Sequence, residues 1–317
     1  MIISISRRTD IPAYYADWFF KRIEEQYVLM RNPVNIHQVS RVSLSPGAVD
    51  CIVFWTKNPQ PMLSALDRLK NYRYYFQFTL TAYSGDVEAS LPPKPVLIDT
   101  FKVLADTIGK EKVIWRYDPI LINPAYTIDR HVRQFERLAC SLAGHTEKCV
   151  ISFLDFYPKI AAAVRTLGVI PVSDGQKRHI AKALSEIAFS YGLAVDACAE
   201  TLDLPGPGIG HARCVDDRLI SRITGSPIRA WKDRNQRPAC GCAESVDIGA
   251  YNTCAHGCRY CYANHSAAAV ADSRRTYDAA SPLLCSRLTE ADTVYQRTTR
   301  SLRDDQDGQL KMPFDLL

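Results

Sequence analysis

The feature that most constrains the fold is an alternation of short apolar segments with helical segments over about the first 200 residues. Six segments have the length and composition of strands, and stretches with amphipathic helical spacing separate them. The predicted strands are Ile2–Ser6, Cys51–Trp55, Tyr74–Thr81, Val113–Trp115, Cys149–Leu154 and Leu193–Cys198. Strands separated by helices favour a parallel sheet with right-handed crossovers. The pattern predicts an α/β protein with a partial (βα)6 TIM-like barrel, although a doubly wound sheet would give much the same pattern.

The remaining segments predict a hairpin and a long loop-rich end. Residues 27–31 and 39–44 have the pattern of two strands joined across Asn32 and Pro33. The stretch from 204 to 210 is rich in Gly and Pro, which predicts a loop. Residues 300–311 are highly charged, which predicts a mobile end. We therefore expect a barrel over residues 1–225, and a cysteine-rich segment over residues 226–317 that packs on the barrel mouth.

Composition and charge place the chain among ordinary globular proteins. It has 317 residues, 47% of them hydrophobic and 23% charged, with a net charge of +5. It has no run of Lys or Arg of the kind that binds nucleic acid, and no apolar stretch of about 18 residues that would cross a membrane. The opening MIISISRRTDIP is unlike a signal peptide. Eleven cysteines in such a chain favour a cytoplasmic location and metal binding over disulfides.

A cluster of three cysteines is the strongest chemical signal. Cys254, Cys258 and Cys261 have the spacing C-x3-C-x2-C, and the third is flanked by Tyr260 and Tyr262. Structural zinc sites and simple ferredoxin clusters take four protein ligands, whereas this motif supplies three. The spacing therefore favours an iron–sulfur cluster with one iron free of protein ligands, and leaves zinc or unligated thiols as alternatives.

The motif resembles the cluster loop of radical S-adenosylmethionine (SAM) enzymes. The resemblance implies a four-iron, four-sulfur (4Fe-4S) cluster whose free iron binds the amino and carboxylate groups of SAM, with an aromatic such as Tyr262 against its adenine. The partial (βα)6 barrel is also the fold of those enzymes. Their cluster loop usually follows the first strand, whereas this motif begins at residue 254 of 317.

Several blocks across the chain also resemble the DUF1848 family of uncharacterised bacterial proteins. These blocks are SRRTDIPA (6–13), FWTKNP (54–59), WRYDPI (115–120), CVISFLD (149–155) and CGCAESVDIGAYNTCAHGCRYCYAN (240–264). The resemblance implies a C-terminal cysteine cluster similar to the one that radical SAM enzymes carry near the N-terminus. It implies no particular reaction.

Four further cysteines form a possible second site. Cys198 ends the sixth strand, Cys214 follows the Gly-rich loop, and Cys240 and Cys242 form a C-x-C pair before the motif. All four would meet at the barrel mouth if the barrel forms. They would then hold a second iron–sulfur cluster or a structural zinc ion, and the alternative is that Cys198 and Cys214 are small buried residues.

Polar side chains follow the predicted strands at the ends where parallel barrels place their chemistry. We assign Lys57, Asp118 and Glu200 to catalysis, and Arg7, Asp10, Gln77, Arg116, Asp155 and Tyr262 to cofactor binding. Arg116 or Lys57 suits the carboxylate of SAM by charge. Asp118, Asp155 or Glu200 suits its ribose. The alternative is that these residues form a ring of structural ion pairs.

These observations lead to one main functional hypothesis and two alternatives. The main hypothesis is a radical SAM-type enzyme that acts on a small-molecule substrate and receives electrons from a donor such as flavodoxin or ferredoxin. One alternative is cleavage of a different bond of SAM, with transfer of a 3-amino-3-carboxypropyl group to a soft nucleophile. The other is a non-catalytic iron–sulfur protein that senses redox state or binds nucleic acid.

Overall fold

The computed structural model describes residues 1–200, 202, 204 and 209–304. Its strands are β1 (Ile2–Ile5), β2 (Tyr27–Arg31), β3 (Gln38–Ser43), β4 (Cys51–Thr56), β5 (Tyr74–Thr79), β6 (Val113–Ile120), β7 (Lys148–Phe153), β8 (Ala194–Ala197), β9 (Ile209–His211), β10 (Val246–Asp247) and β11 (Thr293–Gln296). Its α-helices are α1 (Ile11–Tyr14), α2 (Ala16–Glu25), α3 (Lys94–Ile108), α4 (Ile128–Leu142), α5 (Ala161–Thr166), α6 (Asp174–Ser190), α7 (Asp217–Thr224) and α8 (Ala267–Arg275). Short 3-10 helices cover Gln60–Leu69, Lys110–Lys112 and Pro158–Ile160.

The described residues form one large parallel sheet and one small sheet. The large sheet has eight strands in the order β10-β1-β4-β5-β6-β7-β8-β9, and every neighbouring pair is parallel. The small sheet has the order β11-β3-β2, in which β2 and β3 form the predicted antiparallel hairpin. The prediction of an α/β fold built on parallel strands is confirmed.

The helices between the strands of the large sheet share one hydrophobic core with one face of that sheet. Alternate strand residues, including Phe54, Phe76 and Trp115, point into this core. They meet Phe19 of α2, Phe101 of α3 and comparable side chains of α4 and α6, all in the same cluster of buried residues. From β1 to β8 the strands of this sheet also lie side by side in chain order. Helices on one face and strands in sequential order are typical of a singly wound sheet. A doubly wound sheet has helices on both faces.

The opposite face of the sheet is covered by the segment that follows β9. Ile2, Val53 and Tyr75 on this face form a second buried cluster with Val215 and Ile220. Tyr75 also donates a hydrogen bond from its hydroxyl to the carbonyl of Cys214 at 2.7 Å. The chain after β9 therefore covers this face of the sheet, which is called the inner face below.

The structure differs from the sequence-based prediction mainly at strand ends and in the C-terminal segment. Strand β6 continues from the predicted Val113–Trp115 to Ile120. Strands β9, β10 and β11 and helix α8 lie where loop was expected, and three of these four elements have only two to four residues, too few for a visible pattern. The helical segment between β4 and β5 is a 3-10 helix over Gln60–Leu69. Residues 205–208 of the predicted loop and 305–311 of the predicted mobile end lie outside the described residues.

The C-terminal segment supplies strands to both sheets. β10 pairs with β1, and β11 pairs with β3. In the part of the chain that the structure describes, no helix is both long and apolar enough to span a membrane.

Candidate functional site: a cysteine-lined cavity

A cavity of about 300 Å³ lies at the carboxyl ends of the parallel strands. Seven cysteines of the described chain line it, together with polar residues at the carboxyl ends of β1, β4, β6 and β7. The cysteines are Cys198, Cys214, Cys240, Cys242, Cys254, Cys258 and Cys261. The cavity therefore brings both predicted cysteine groups to the edge of the sheet where parallel α/β proteins place their sites.

The three motif cysteines lie on a loop that is fixed to the strand ends. Cys254, Cys258 and Cys261 are each partly buried. His256, inside the motif, is buried, and its Nε2 lies 2.7 Å from Oδ2 of Asp10. Its Nδ1 lies 3.0 Å from the hydroxyl of Tyr14. Both ring nitrogens are thus engaged, so His256 anchors the loop and does not act as a fourth ligand in this arrangement.

Asp10 joins the motif loop to the ends of β1 and β4. One carboxylate oxygen caps α1 by accepting the amide of Ala13 at 3.0 Å. The other accepts the amide of Lys57 at 2.7 Å in addition to His256. The loop also needs Gly257, whose φ of +65° is unfavourable for other residues and whose added Cβ would lie 3.3 Å from that of Ala89. Asp10, a predicted cofactor ligand, therefore contacts the protein backbone and the motif histidine.

A buried carboxylate, Glu88, organises the charge beside the motif. It lies 2.8 Å from Nζ of Lys57 and 3.1 Å from Nζ of Lys94. The hydroxyl groups of Thr81 and Tyr260 also donate to it. Burial alone would raise the pKa of Glu88, but the two lysines lower it to about 2. Lys57 lines the cavity and keeps its charge, because Glu88 and the sulfur of Cys258 raise its pKa against the effect of burial.

Aromatic side chains stand at the mouth of the cavity. The hydroxyl of Tyr262 donates to the carbonyl of Arg7 at 2.7 Å, while 46% of the residue stays exposed. Its ring centroid lies 6.4 Å from that of Tyr157, which is also exposed. Asp155 lies at the same mouth, where it forms an ion pair with Arg237. The mouth thus offers two accessible aromatic rings beside the last motif cysteine.

The four remaining cavity cysteines form a contiguous, buried group. The sulfur atoms of Cys198 and Cys214 are 3.4 Å apart. Cys240 and Cys242 belong to the same cluster of buried residues as this pair. These thiols hold the pKa of Cys242 well below its usual range, because Cys214 and Cys240 donate to its sulfur. Cys198, Cys214, Cys240 and Cys242 are called the inner cysteine group below.

Two arginines and a tryptophan lie against the inner cysteine group. Nη1 of Arg116 donates to the sulfur of Cys214 at 2.7 Å, and its Nη2 forms an ion pair with Asp118. The guanidinium groups of Arg7 and Arg116 each lie 5.0 Å from the ring centroid of Trp55. Among the described residues, Nη2 of Arg7 and Nε1 of Trp55 are buried without a hydrogen-bond partner. Buried donors without acceptors are costly, so this wall is suited to an anionic group.

The structure brings most of the predicted site residues to one cavity. Those that line it are Arg7, Asp10, Lys57, Arg116, Asp118, Asp155 and Tyr262, in addition to the seven cysteines. Gln77 and Glu200 are not among the lining residues of the described chain. Gln77 is buried and donates to the carbonyl of Cys214 at 2.8 Å. Glu200 accepts the amide of Phe153 and pairs with Lys177 at 3.0 Å.

Several residues of this site carry no sequence signal. Glu88 lies in a loop between β5 and α3, and nothing in the adjacent sequence predicts that it pairs with two lysines. Asp247 accepts hydrogen bonds from the hydroxyl of Ser6 at 2.6 Å and the amide of Arg7 at 2.7 Å, which are 241 and 240 residues away in the sequence. Tyr157 reaches the mouth from a loop that contains no motif. Their roles depend on long-range contacts, which local patterns do not encode.

The donor set suits a soft metal centre, although the side chains are not yet arranged around one. In the described ranges, no three Cys, His, Asp or Glu side chains are already arranged as ligands around a metal ion. The three motif thiols still open onto the cavity, and the amide of Ala263 donates to the sulfur of Cys261 at 3.4 Å. Such amide contacts are typical of thiolates that bind iron–sulfur clusters. Side-chain rotation of the thiols would therefore be part of binding.

Fold and site together define a parallel α/β protein with a cysteine-lined cavity at the carboxyl ends of its strands. Residues 2–263 match the model of a family described as a domain of unknown function, DUF1848. The chain belongs to this family, as the sequence blocks predicted. The match includes all three motif cysteines.

Comparison with other proteins adds little. Among curated proteins, none matches this chain. One solved structure with some similarity comes from Bacteroides thetaiotaomicron VPI-5482 and is provisionally described as an alpha-L-fucosidase. It shares 10% sequence identity and a TM-score of 0.27, over 68% of this chain and 80% of the other. Similarity at this level carries no argument about fold or activity.

Proposed function

We propose that this protein is a radical SAM-type enzyme in which Cys254, Cys258 and Cys261 hold a 4Fe-4S cluster. One observation carries the proposal: the three motif cysteines share a single cavity with Lys57 and Asp118 from two strand ends. A motif far from the N-terminus is thus brought to the edge of the sheet that carries the sites of parallel barrels. The proposal includes the partial barrel, which the sequential order of β1 and β4 to β8 and the helices on one face support.

The three-thiol donor set supports an open coordination position. His256, which lies between the first two cysteines, is engaged by Asp10 and Tyr14. A cluster held by three cysteines keeps one iron for an external ligand, and the amino and carboxylate groups of SAM suit that position. When bound, the cluster would supply the electron that cleaves a carbon–sulfur bond of SAM.

The cavity wall supports specific roles for individual side chains. Lys57 is the cation beside Cys258, so it is a better partner for the carboxylate of SAM than Arg116, which is bound to Cys214 and Asp118. The half-exposed ring of Tyr262 suits contact with adenine. Arg116 and Ser152 lower the pKa of Asp118 against the effect of burial. Asp118 is therefore an ionised acceptor for a ribose or substrate hydroxyl.

The size and position of the cavity support a small substrate and an external electron source. A volume of about 300 Å³ lies at the lower end of the range for small-molecule sites. The motif cysteines are partly buried, so a cluster there would remain near the protein surface. A flavodoxin or ferredoxin is the expected class of electron donor.

Product analysis tests the proposal. Anaerobically reconstituted protein is incubated with SAM and dithionite, and the soluble products are separated and identified. We expect methionine with 5′-deoxyadenosine, whereas 5′-methylthioadenosine would indicate transfer of the 3-amino-3-carboxypropyl group. Cys258→Ala serves as the control and should give neither product. A protein that holds the cluster through the three motif cysteines yet cleaves no SAM contradicts the enzymatic proposal.

A further inference from the structure

The inner cysteine group has the features of a metal site of its own. Its four thiols come from the end of β8, the turn after β9 and the C-x-C pair. The relative exposures of Cys198, Cys214, Cys240 and Cys242 are 8%, 1%, 6% and 2%. Single cysteines are often buried as small apolar residues. Burial of that kind does not explain why four thiols from three segments lie in one cluster.

The spacing of the sulfur atoms favours a single ion. Cys198 and Cys214 have sulfur atoms 3.4 Å apart, and Cys240 and Cys242 belong to the same buried cluster and line the same cavity. Four thiolates at about 2.3 Å from a tetrahedral zinc ion lie about 3.8 Å from one another. A four-iron cluster would spread its ligands further, because each thiolate binds a different iron. Small side-chain rotations would thus convert the observed contacts into one tetrahedral site.

The surrounding donors favour a negatively charged centre. Neutral thiols are weak acceptors, yet Arg116 donates to Cys214 and the amide of Val215 donates to Cys242 at 3.4 Å. Arg7 lies near Cys242 and Cys214 and has a buried Nη2 without a partner among the described residues. A zinc ion with four thiolates has a net charge of about −2. Arg116 and Arg7 also pair with Asp118 and Asp233, so they would offset part of that charge. Thiolate sulfur would give Arg116 a better acceptor than a neutral thiol does.

We propose that Cys198, Cys214, Cys240 and Cys242 bind one structural Zn²⁺ ion. The ion has four protein ligands and no open position, so it takes no part in reactions. It joins the end of β8 to the segment that covers the inner face of the sheet. This site is separate from the radical SAM proposal, because it uses none of the three motif cysteines.

A variant without the motif thiols isolates the second site. The full-length protein with Cys254, Cys258 and Cys261 all replaced by Ser is produced in medium supplemented with zinc, and its metals are measured by mass spectrometry. We expect about one zinc per chain, with X-ray absorption that shows four sulfur neighbours at about 2.3 Å. Adding Cys214→Ser should remove most of the zinc, and adding Cys51→Ser, at a buried thiol outside the cavity, should leave it bound.

Three results would overturn the proposal. They are a zinc-free protein, full zinc content after Cys214→Ser, and iron with inorganic sulfide in the inner group. If the Cys214→Ser protein fails to fold, cobalt titration of the metal-stripped triple-Ser variant replaces it. One Co²⁺ per chain with an intense thiolate-to-cobalt charge-transfer band supports the site, and absence of that band rejects it.

Discussion

Glu88 determines how charge is distributed at the motif side of the cavity. Its carboxylate binds two lysines, of which Lys57 lines the cavity and Lys94 does not. Truncating either lysine leaves Glu88 with the other, so the two changes should have similar effects on stability. They should differ only where Lys57 contacts a bound molecule. Comparing the Lys57 and Lys94 variants therefore separates the effect of each lysine on stability from its effect on ligand binding.

We predict that Lys57→Met weakens SAM binding to the reconstituted protein by about 1.5–3 kcal/mol, the usual contribution of a charged hydrogen bond. Lys94→Met, the matched control, should leave SAM affinity unchanged. Each variant should lower the free energy of unfolding by about 1–3 kcal/mol, because Glu88 loses one of its partners. Calorimetric titration with SAM and urea denaturation give the two readouts. Equal SAM affinity in both variants would assign Lys57 a purely structural role.

Sequence reasoning at this scale found the residues and missed their partners. Cys254, Cys258, Cys261 and Lys57 were predicted because motif spacing and strand ends are local features. The partners of Lys57 and His256 were not, because Glu88 and Asp10 reach them through the folded chain. Gln77 and Glu200 lie near strand ends as expected, but their side chains are not among those that line the cavity. The direction of a side chain at a strand end depends on the folded backbone, which sequence composition does not determine.

At the scale of elements, β6 and α4 are joined by a buried histidine. The Nε2–H of His131 donates to the carbonyl of Leu121 at 2.9 Å, and its Nδ1 accepts from the hydroxyl of Tyr117 at 2.8 Å. Burial lowers the pKa of His131 to about 4. The helix begins at Ile128 because the side chain of Thr127 caps it, accepting the amide of Arg130 at 3.3 Å. The contact with β6 therefore requires neutral imidazole.

We predict that this contact makes the fold sensitive to mild acid. The unfolded chain takes up a proton near pH 6.5 and the folded chain near pH 4, so stability falls as pH drops through that interval. Between pH 7 and pH 5 the loss from His131 is about 2 kcal/mol. His131→Gln keeps a donor and an acceptor without titrating, so its urea-unfolding free energy should fall by about 2 kcal/mol less over this interval. Parallel pH profiles for the two proteins would contradict the assignment.

The elements of the sheet were predictable to different degrees. β1 and β4 to β8 are apolar runs between helical patterns, so their positions and parallel pairing follow from local sequence. β10 has two residues, and it exists because Val246 and Asp247 pair with Ile3 and Ser4. Asp247 then accepts the hydroxyl of Ser6, which fixes the chain just before the motif. Long-range pairing therefore creates β10.

At the scale of the whole molecule, the chain after β9 supplies most of the thiols that line the cavity at the strand ends. The sheet supplies the strand ends, and the chain after β9 supplies six of the seven cavity cysteines, since only Cys198 precedes it. The segment is attached at the inner face through Val215 and at β1 through β10. The motif thus reaches the carboxyl ends of the strands although it begins at residue 254 of 317. The sequence predicted this placement from chemistry, because strand ends and thiols belong to one site.

The central claim is that the motif cysteines hold a cluster with one open iron. The most direct measurement is electron paramagnetic resonance of the anaerobically reconstituted, dithionite-reduced protein, with and without SAM. The inner cysteine group is left intact, and Cys258→Ala is the control. We predict about four irons and four sulfides per chain, a cubane signal that changes when SAM is added, and loss of that signal in Cys258→Ala. A signal indifferent to SAM, or zinc without iron at the motif, would contradict the account.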